Sequence, residues 1–316
     1  MSEPTATQDL IQGTPEPSAA AVPNSSGKPR SLWYDTWDIL KRRKIFWISF
    51  VMLIVFLVMA AFPTLFTHKD PEWATLARSM EGPSEDAWFG FDLQGRDVFA
   101  RTIYGARTSI IVGVLATLGT VVLGGIAGVI AAYQGKWLDS LLSRVGEMFL
   151  GVPYVLGAVI ILGSVAPVQS NPGKTMIMTV VIIVLAVLGW PVLMRIARSS
   201  IIQAKHQDYV QAARALGAGP FRIIFKHLLP NSLAPILVYS TITIGSYIGA
   251  EATLSLLGIG LRTPVISWGI AIADHTRYIR TGAHAMFFPA AFLSLCVLTF
   301  VMLGEAVRDA LDPKLR

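Results

Sequence analysis

Charge is scarce in this sequence: Asp, Glu, Lys and Arg supply 15% of its 316 residues, where a soluble domain carries about 25%. Hydrophobic residues supply 53%, and mean hydropathy is +0.57. That deficit excludes an ordinary soluble domain and makes lipid the expected solvent. Cysteine is nearly absent too. Cys296 alone cannot build a disulfide framework or a multi-cysteine metal site, and its apolar surroundings mark a packing residue. The five histidines are scattered, with no His-Glu-x-x-His pair, and no Gly-x-Ser-x-Gly elbow exists. The chain therefore offers no metal site and no nucleophile elbow. Gly173-Lys174-Thr175 lacks the glycine a phosphate loop needs five positions earlier, where Val168 stands.

What the chain has is long apolar runs. After a Pro/Ser/Thr/Ala-rich stretch, 1–30, too polar to order itself as a cytoplasmic tail, Ser31 can cap a helix. Trp33, Trp37 and Leu40 then recur at helical spacing before the basic run Lys41 to Lys44. Residues 31–44 read as an amphipathic helix on the cytoplasmic leaflet or as a solvated linker helix. Six apolar segments follow, near 45–66, 109–133, 141–165, 175–194, 233–257 and 285–303. The first, at 22 residues, would run about 33 Å as a helix, enough for a bilayer core of ~30 Å. Lipid cannot satisfy open backbone groups, so these are expected to be helices. The predicted fold is an all-α membrane bundle of six transmembrane helices, with an outer loop at 67–108 and a core over 109–316.

With both termini inside, the inner segments hold 17 of the 26 Lys and Arg and the outer segments hold 9. That bias, with the net charge of +6, favours cytoplasmic loops and cytoplasmic termini over nucleic-acid binding. Gly124 and Gly128 form a GxxxG step beside Ala127 and Ala131, suited to close helix approach.

Between the fourth and fifth segments, 195–232 holds a polar stretch built for a sharp turn. Asp208 and Gln211 match a capping box. Gly217 is placed to end that helix in the left-handed conformation, and Pro220 to start the next. Phe221, Ile224, Phe225 and Leu228 form one apolar face, with Arg222 and Lys226 opposite and Pro230 near the helix end. The stretch reads as a hairpin against the membrane or as a rigid docking knob.

Gln211-Ala212-Ala213, Gly217 and Leu229-Pro230 resemble the EAA loop of binding-protein-dependent ABC importer permeases, with Gln211 in place of Glu and His227 in place of Ile. Further stretches narrow the resemblance. They are Trp88 to Asp92, Gly95 to Arg101, Tyr104 to Arg107, Ala250 to Gly260, Ser267-Trp268-Gly269 and Arg308 to Pro313. Together they are similar to the C-type permease of dipeptide, oligopeptide and nickel importers over about 31–316, with a MetI-like fold. The resemblance implies that Asp208, Gln211, Ala212, Ala213, Gly217, Pro220, Leu229 and Pro230 couple to an ATPase. It also implies a heterodimer with a B-type permease, two ATPase subunits that hold ATP and Mg, and an extracytoplasmic solute-binding protein. The implied place is the bacterial inner membrane, and the implied cargo is a peptide, with nickel or another small solute as the alternative. No cofactor is expected in this chain.

Glu251 is the one acidic residue inside a clear apolar segment. It reads as a structural carboxylate or as part of a translocation path. Ser267, Trp268 and Gly269 are expected on the side of the binding protein or cavity, with an interfacial tryptophan anchor equally open. A membrane enzyme would need more such polar residues at depth. An ion-coupled transporter would need several intramembrane charges and inverted repeats.

Overall fold

A computed structural model describes residues 32–167 and 173–311. The 1–30 tail, the Ser31 cap, Val168, Asp312-Pro313 and the side chains of 32–35, with Trp33, lie outside the described residues. Within them every regular element is helical. Helix α1 (Leu32–Leu40) precedes α2 (Lys44–Ala61), which carries no charged residue after Lys44. Helix α3 (Val98–Gln134) follows a long loop, then α4 (Lys136–Leu150) and α5 (Tyr154–Val165). Helix α6 (Lys174–Lys205) leads to α7 (Asp208–Ala215) and α8 (Pro220–Ile223). A π turn (Ile224–Leu228) feeds α9 (Leu229–Leu256), followed by α10 (Trp268–His275) and α11 (Ala283–Leu311).

Among the described residues five helices are long and apolar enough to cross a membrane, or six if α4 and α5 count as one span. That pair bends by 87°. The sequence predicts one helix over 141–165, and the difference has a local cause. Pro153 supplies no N–H and clashes with a preceding helical turn, so the chain breaks across Gly151, Val152 and Pro153. Helix α4 is polar along one side, and its Asp139 grips Arg198 of α6 through two bonds of 2.5 and 2.6 Å. Helix α5, at 12 residues, reaches only about 18 Å.

Helix α3 starts at Val98, well before the predicted Ser109. Arg101 and Arg107 hide its first turns from an apolarity count. Asp97 caps it by accepting from Ala100 N at 2.9 Å and holds Lys69 at 2.8 Å. Arg107 donates to the last carbonyls of α2, Ala60 and Ala61.

The long helices meet through small residues. A Cβ on Gly124 would lie 2.6 Å from Trp190 O, and one on Gly128 would lie 2.7 Å from Ala197 Cβ. The GxxxG step is therefore the seam between α3 and α6. Nearer the middle, Tyr247 of α9 bonds Thr120 of α3 at 2.8 Å over Gly189 of α6, where a Cβ would overlap the tyrosine hydroxyl. A second cluster joins Phe56 and Met59 of α2, Ile103 and Ile110 of α3, Ile248 of α9, and Cys296 and Phe300 of α11. Cys296 is fully buried there. At the chain's start, Leu40 and Phe46 pack on Ala306 and Ala310 of α11, and Arg43 pairs with Asp309 at 2.5 Å.

Candidate functional site

The α7–α8 hairpin stands at the end of the bundle where α3 and α6 finish. Val210, Ile223 and Leu228 anchor it against Ala132, Ile201 and Ala204. Lys205 ties the same corner: its Nζ donates to Ala132 O at 3.0 Å and Tyr133 O at 2.9 Å, the carbonyls that end α3. Gln211 Nε2 donates to Lys205 O at 3.4 Å. A glutamate at position 211 could not make that bond.

The predicted capping box does not form. Gln207 occupies the N-cap position with no side-chain bond, and Asp208 is the first helical residue, where its charge still suits the helix dipole. Gly217 takes φ +81°, the left-handed region, and its N–H bonds Arg214 O at 2.9 Å. Ala218 N then reaches back to Ala213 O at 3.0 Å, closing the helix end. Pro220 opens α8. Leu229 and Pro230 do not end a helix, because the chain runs on through the π turn into α9. The wider turn accommodates the proline, and Asn231 Nδ2 donates to His227 O at 2.7 Å.

The apolar face differs from the predicted one. Ile223 and Leu228 point inward, while Phe221 and Phe225 are 78% and 65% exposed. Leu216 at 89% and Tyr209 at 41% join them, with Gln211 and Ala212 also exposed and Ala213 half-buried. The hairpin is thus pinned by its buried side and leaves a surface rich in exposed large apolar side chains.

At the other end of the bundle, Glu251 is fully buried. Its Oε1 accepts from Ser255 at 2.9 Å and Ser267 at 3.0 Å, and its Oε2 from Ser109 at 3.4 Å. Ser267 also caps α10, accepting from Ile270 N at 3.2 Å, and Ser109 accepts from Trp268 N at 3.3 Å. Trp268 Nε1 donates to Thr102 O at 2.8 Å. Gly269 is needed here, since a Cβ would lie 2.6 Å from Ala252 Cα. Ser267, Trp268 and Gly269 are buried within the chain, where they plug the start of α10 between α3 and α9. The reason is the cap itself, which draws Ser267 onto the carboxylate.

Glu251 thus bridges α3, α9 and the start of α10 through three serine hydroxyls. Glu251→Ala leaves three serine hydroxyls to re-pair and opens a cavity. It is expected to destabilise the protein by about 1–3 kcal/mol, seen as a lower Tm of the purified assembly. Unchanged Tm with lost transport would place Glu251 on the path instead.

Two groupings at this end escape sequence reading. Asp92, 1% exposed, accepts from Gln94 N, Arg96 N and Arg96 Nε at 2.7–2.9 Å, with Arg101 Nε at 3.7 Å. Arg262 donates through Nη2 to Ala166 O and Pro167 O. Only the first had a visible trace, in the short spacing of Asp92 and Arg96. No group of three metal-binding side chains comes together among the described residues.

Residues 121–316 match the family described as binding-protein-dependent transport system inner membrane component. Residues 31–83 match the N-terminal TM domain of oligopeptide transport permease C. A dipeptide transport system permease protein of Bacillus subtilis is 40% identical over 92% of this chain and 89% of its own length. One from Alkalihalophilus pseudofirmus is 35% identical over 96% of each. The oligopeptide transport system permease protein of Bacillus subtilis is 35% identical over 98% of this chain and 99% of its own. Among solved structures, an inward-facing methionine ABC transporter chain aligns with TM-score 0.52 and 21% identity. It covers 67% of this chain and 96% of its own, a likeness of fold.

Proposed function

This chain belongs to the binding-protein-dependent transport system inner membrane components, and from that premise we propose that it is a permease subunit of an ATP-driven importer of di- or oligopeptides. It is a multi-pass membrane component, not a catalytic subunit. What carries the peptide reading is identity of 35–40% to dipeptide and oligopeptide permeases across nearly the whole chain. The exposed hairpin supports the coupling role.

In this reading the hairpin end is cytoplasmic, as are both termini, and the α10 end faces out. A homologous B-type permease completes the path. Two ATPase subunits bind ATP and Mg and seat the two permeases' hairpins, and a solute-binding protein delivers peptide at the outer face. Asp208, Gln211, Ala212, Ala213, Gly217 and Pro220 shape the seat. Leu229 and Pro230 join it to α9, so a push on α7 and α8 passes along α9. Lys205 passes the same push to the ends of α3 and α6.

Alternating access then needs only a difference in free energy between two arrangements of the helices, set by nucleotide on the partners. The ATPases and the second permease should co-purify with this chain in fixed stoichiometry, and peptide uptake into liposomes should need all of them plus the binding protein. Uptake by this chain alone would refute the proposal.

A further inference from the structure

A cavity of about 570 Å³ opens beside α10, within the ~300–1,000 Å³ range of small-ligand sites. Three segments supply its charges: Arg96 from the loop before α3, Arg262 after α9, and Asp274 near the end of α10 with Arg277 in the 3-10 turn that follows it. Arg96 is committed to Asp92 at 2.7 Å. Arg277 and Asp274 stand exposed, and His275 is buried with its Nδ1 at 2.7 Å from Ala271 O. Arg262 is different. Its Nη2 serves two carbonyls, yet Nε and Nη1 are shielded from solvent with no acceptor. A guanidinium held so is short of acceptors, and a carboxylate is the ligand whose charge and lone pairs answer it best.

We propose that this cavity is a carboxylate-binding site, with Arg262 as its anchor and Arg277 at its rim. Arg96 is offset by Asp92, so Arg262 and Arg277 face Asp274 with a surplus of one positive charge. A modest swing of the Arg262 head brings its unmet N–H groups to an entering carboxylate. Two sources share this chemistry: the C-terminal carboxylate of a peptide, and an acidic side chain of the docked binding protein. The placement of the cavity on the outer face and the two named sources rest on the function proposed above. Carboxylate binding does not.

The test uses the assembled importer in nanodiscs. Arg262 and Arg277 are modified with phenylglyoxal and the rates read by mass spectrometry. The probes are dialanine, dialanine amide and peptide-loaded binding protein. At ten times its Kd, the true source should slow labelling about tenfold. Protection by dialanine but not its amide assigns the substrate carboxylate. Protection by the binding protein but neither peptide assigns a docking side chain.

No protection by any probe, or equal protection by dialanine and its amide, overturns the proposal. Should Arg262→Gln fail to assemble, because it also frees two carbonyls, Arg277→Gln carries the variant arm. It should weaken the assigned probe's protection of Arg262, and unchanged protection overturns the rim role. An importer that assembles and transports yet shows no protection refutes the cavity alone.

Discussion

Gly217→Val leaves the chain in the membrane and lowers peptide uptake about tenfold or more. Gly217 sits at φ +81°, where a β-branched residue is a true outlier. Holding a non-glycine residue there costs roughly 1–3 kcal/mol, and each 1.4 kcal/mol is about a factor of ten in an equilibrium. Nothing lies within 4 Å of the added Cβ, so the whole effect is backbone. The hairpin would open or shift to relieve the strain, and Leu216 and Phe221 would leave their places on the proposed ATPase seat.

That cause makes a graded series. Gly217→Asn should retain much of the uptake, because asparagine tolerates the left-handed region. Gly219→Val is the control: its φ is −71° and its Cβ position is also open. Uptake by Gly217→Val equal to the control would show that the turn is not the coupling element.

Gly128→Leu is expected to act on the fold rather than on coupling. Helices α3 and α6 approach so closely at this step that a Cβ on Gly128 would lie 2.9 Å from Met194 O and 2.7 Å from Ala197 Cβ. A backbone oxygen cannot rotate away as a side-chain tip can. Leucine must therefore part the two helices, losing packing along the seam that includes Gly124. Overpacking of this kind costs about 1–3 kcal/mol and sometimes more. It should appear as poor recovery of the assembled importer and a lower Tm. Gly125→Leu, on the same helix with nothing within 4 Å of its Cβ, should be tolerated. Equal stability of the two variants would mean that the seam does not hold the bundle.

Some of this was readable from the chain alone. Apolar length separates lipid from water, so the membrane class and the positions of most long helices follow from composition summed along a line. Gly217 and Pro220 act on their own φ angles, so the kink between α7 and α8 is a local property too. Gly124 and Gly128 leave a groove whatever helix fills it.

Direction and partnership are another matter. Apolar spacing put Phe221 and Phe225 with Leu228, but the tertiary corner formed by α3 and α6 chose Ile223 and Leu228 and left the phenylalanines outside. Glu251 could not be placed from sequence because Ser109, which donates to it, lies 142 residues away. Arg262 reads as one more loop cation until the packing around it leaves Nε and Nη1 buried without an acceptor. Hydropathy and backbone preference are properties of neighbours in the chain. Hydrogen-bond partners and buried faces are properties of neighbours in space, and only the packed bundle decides those.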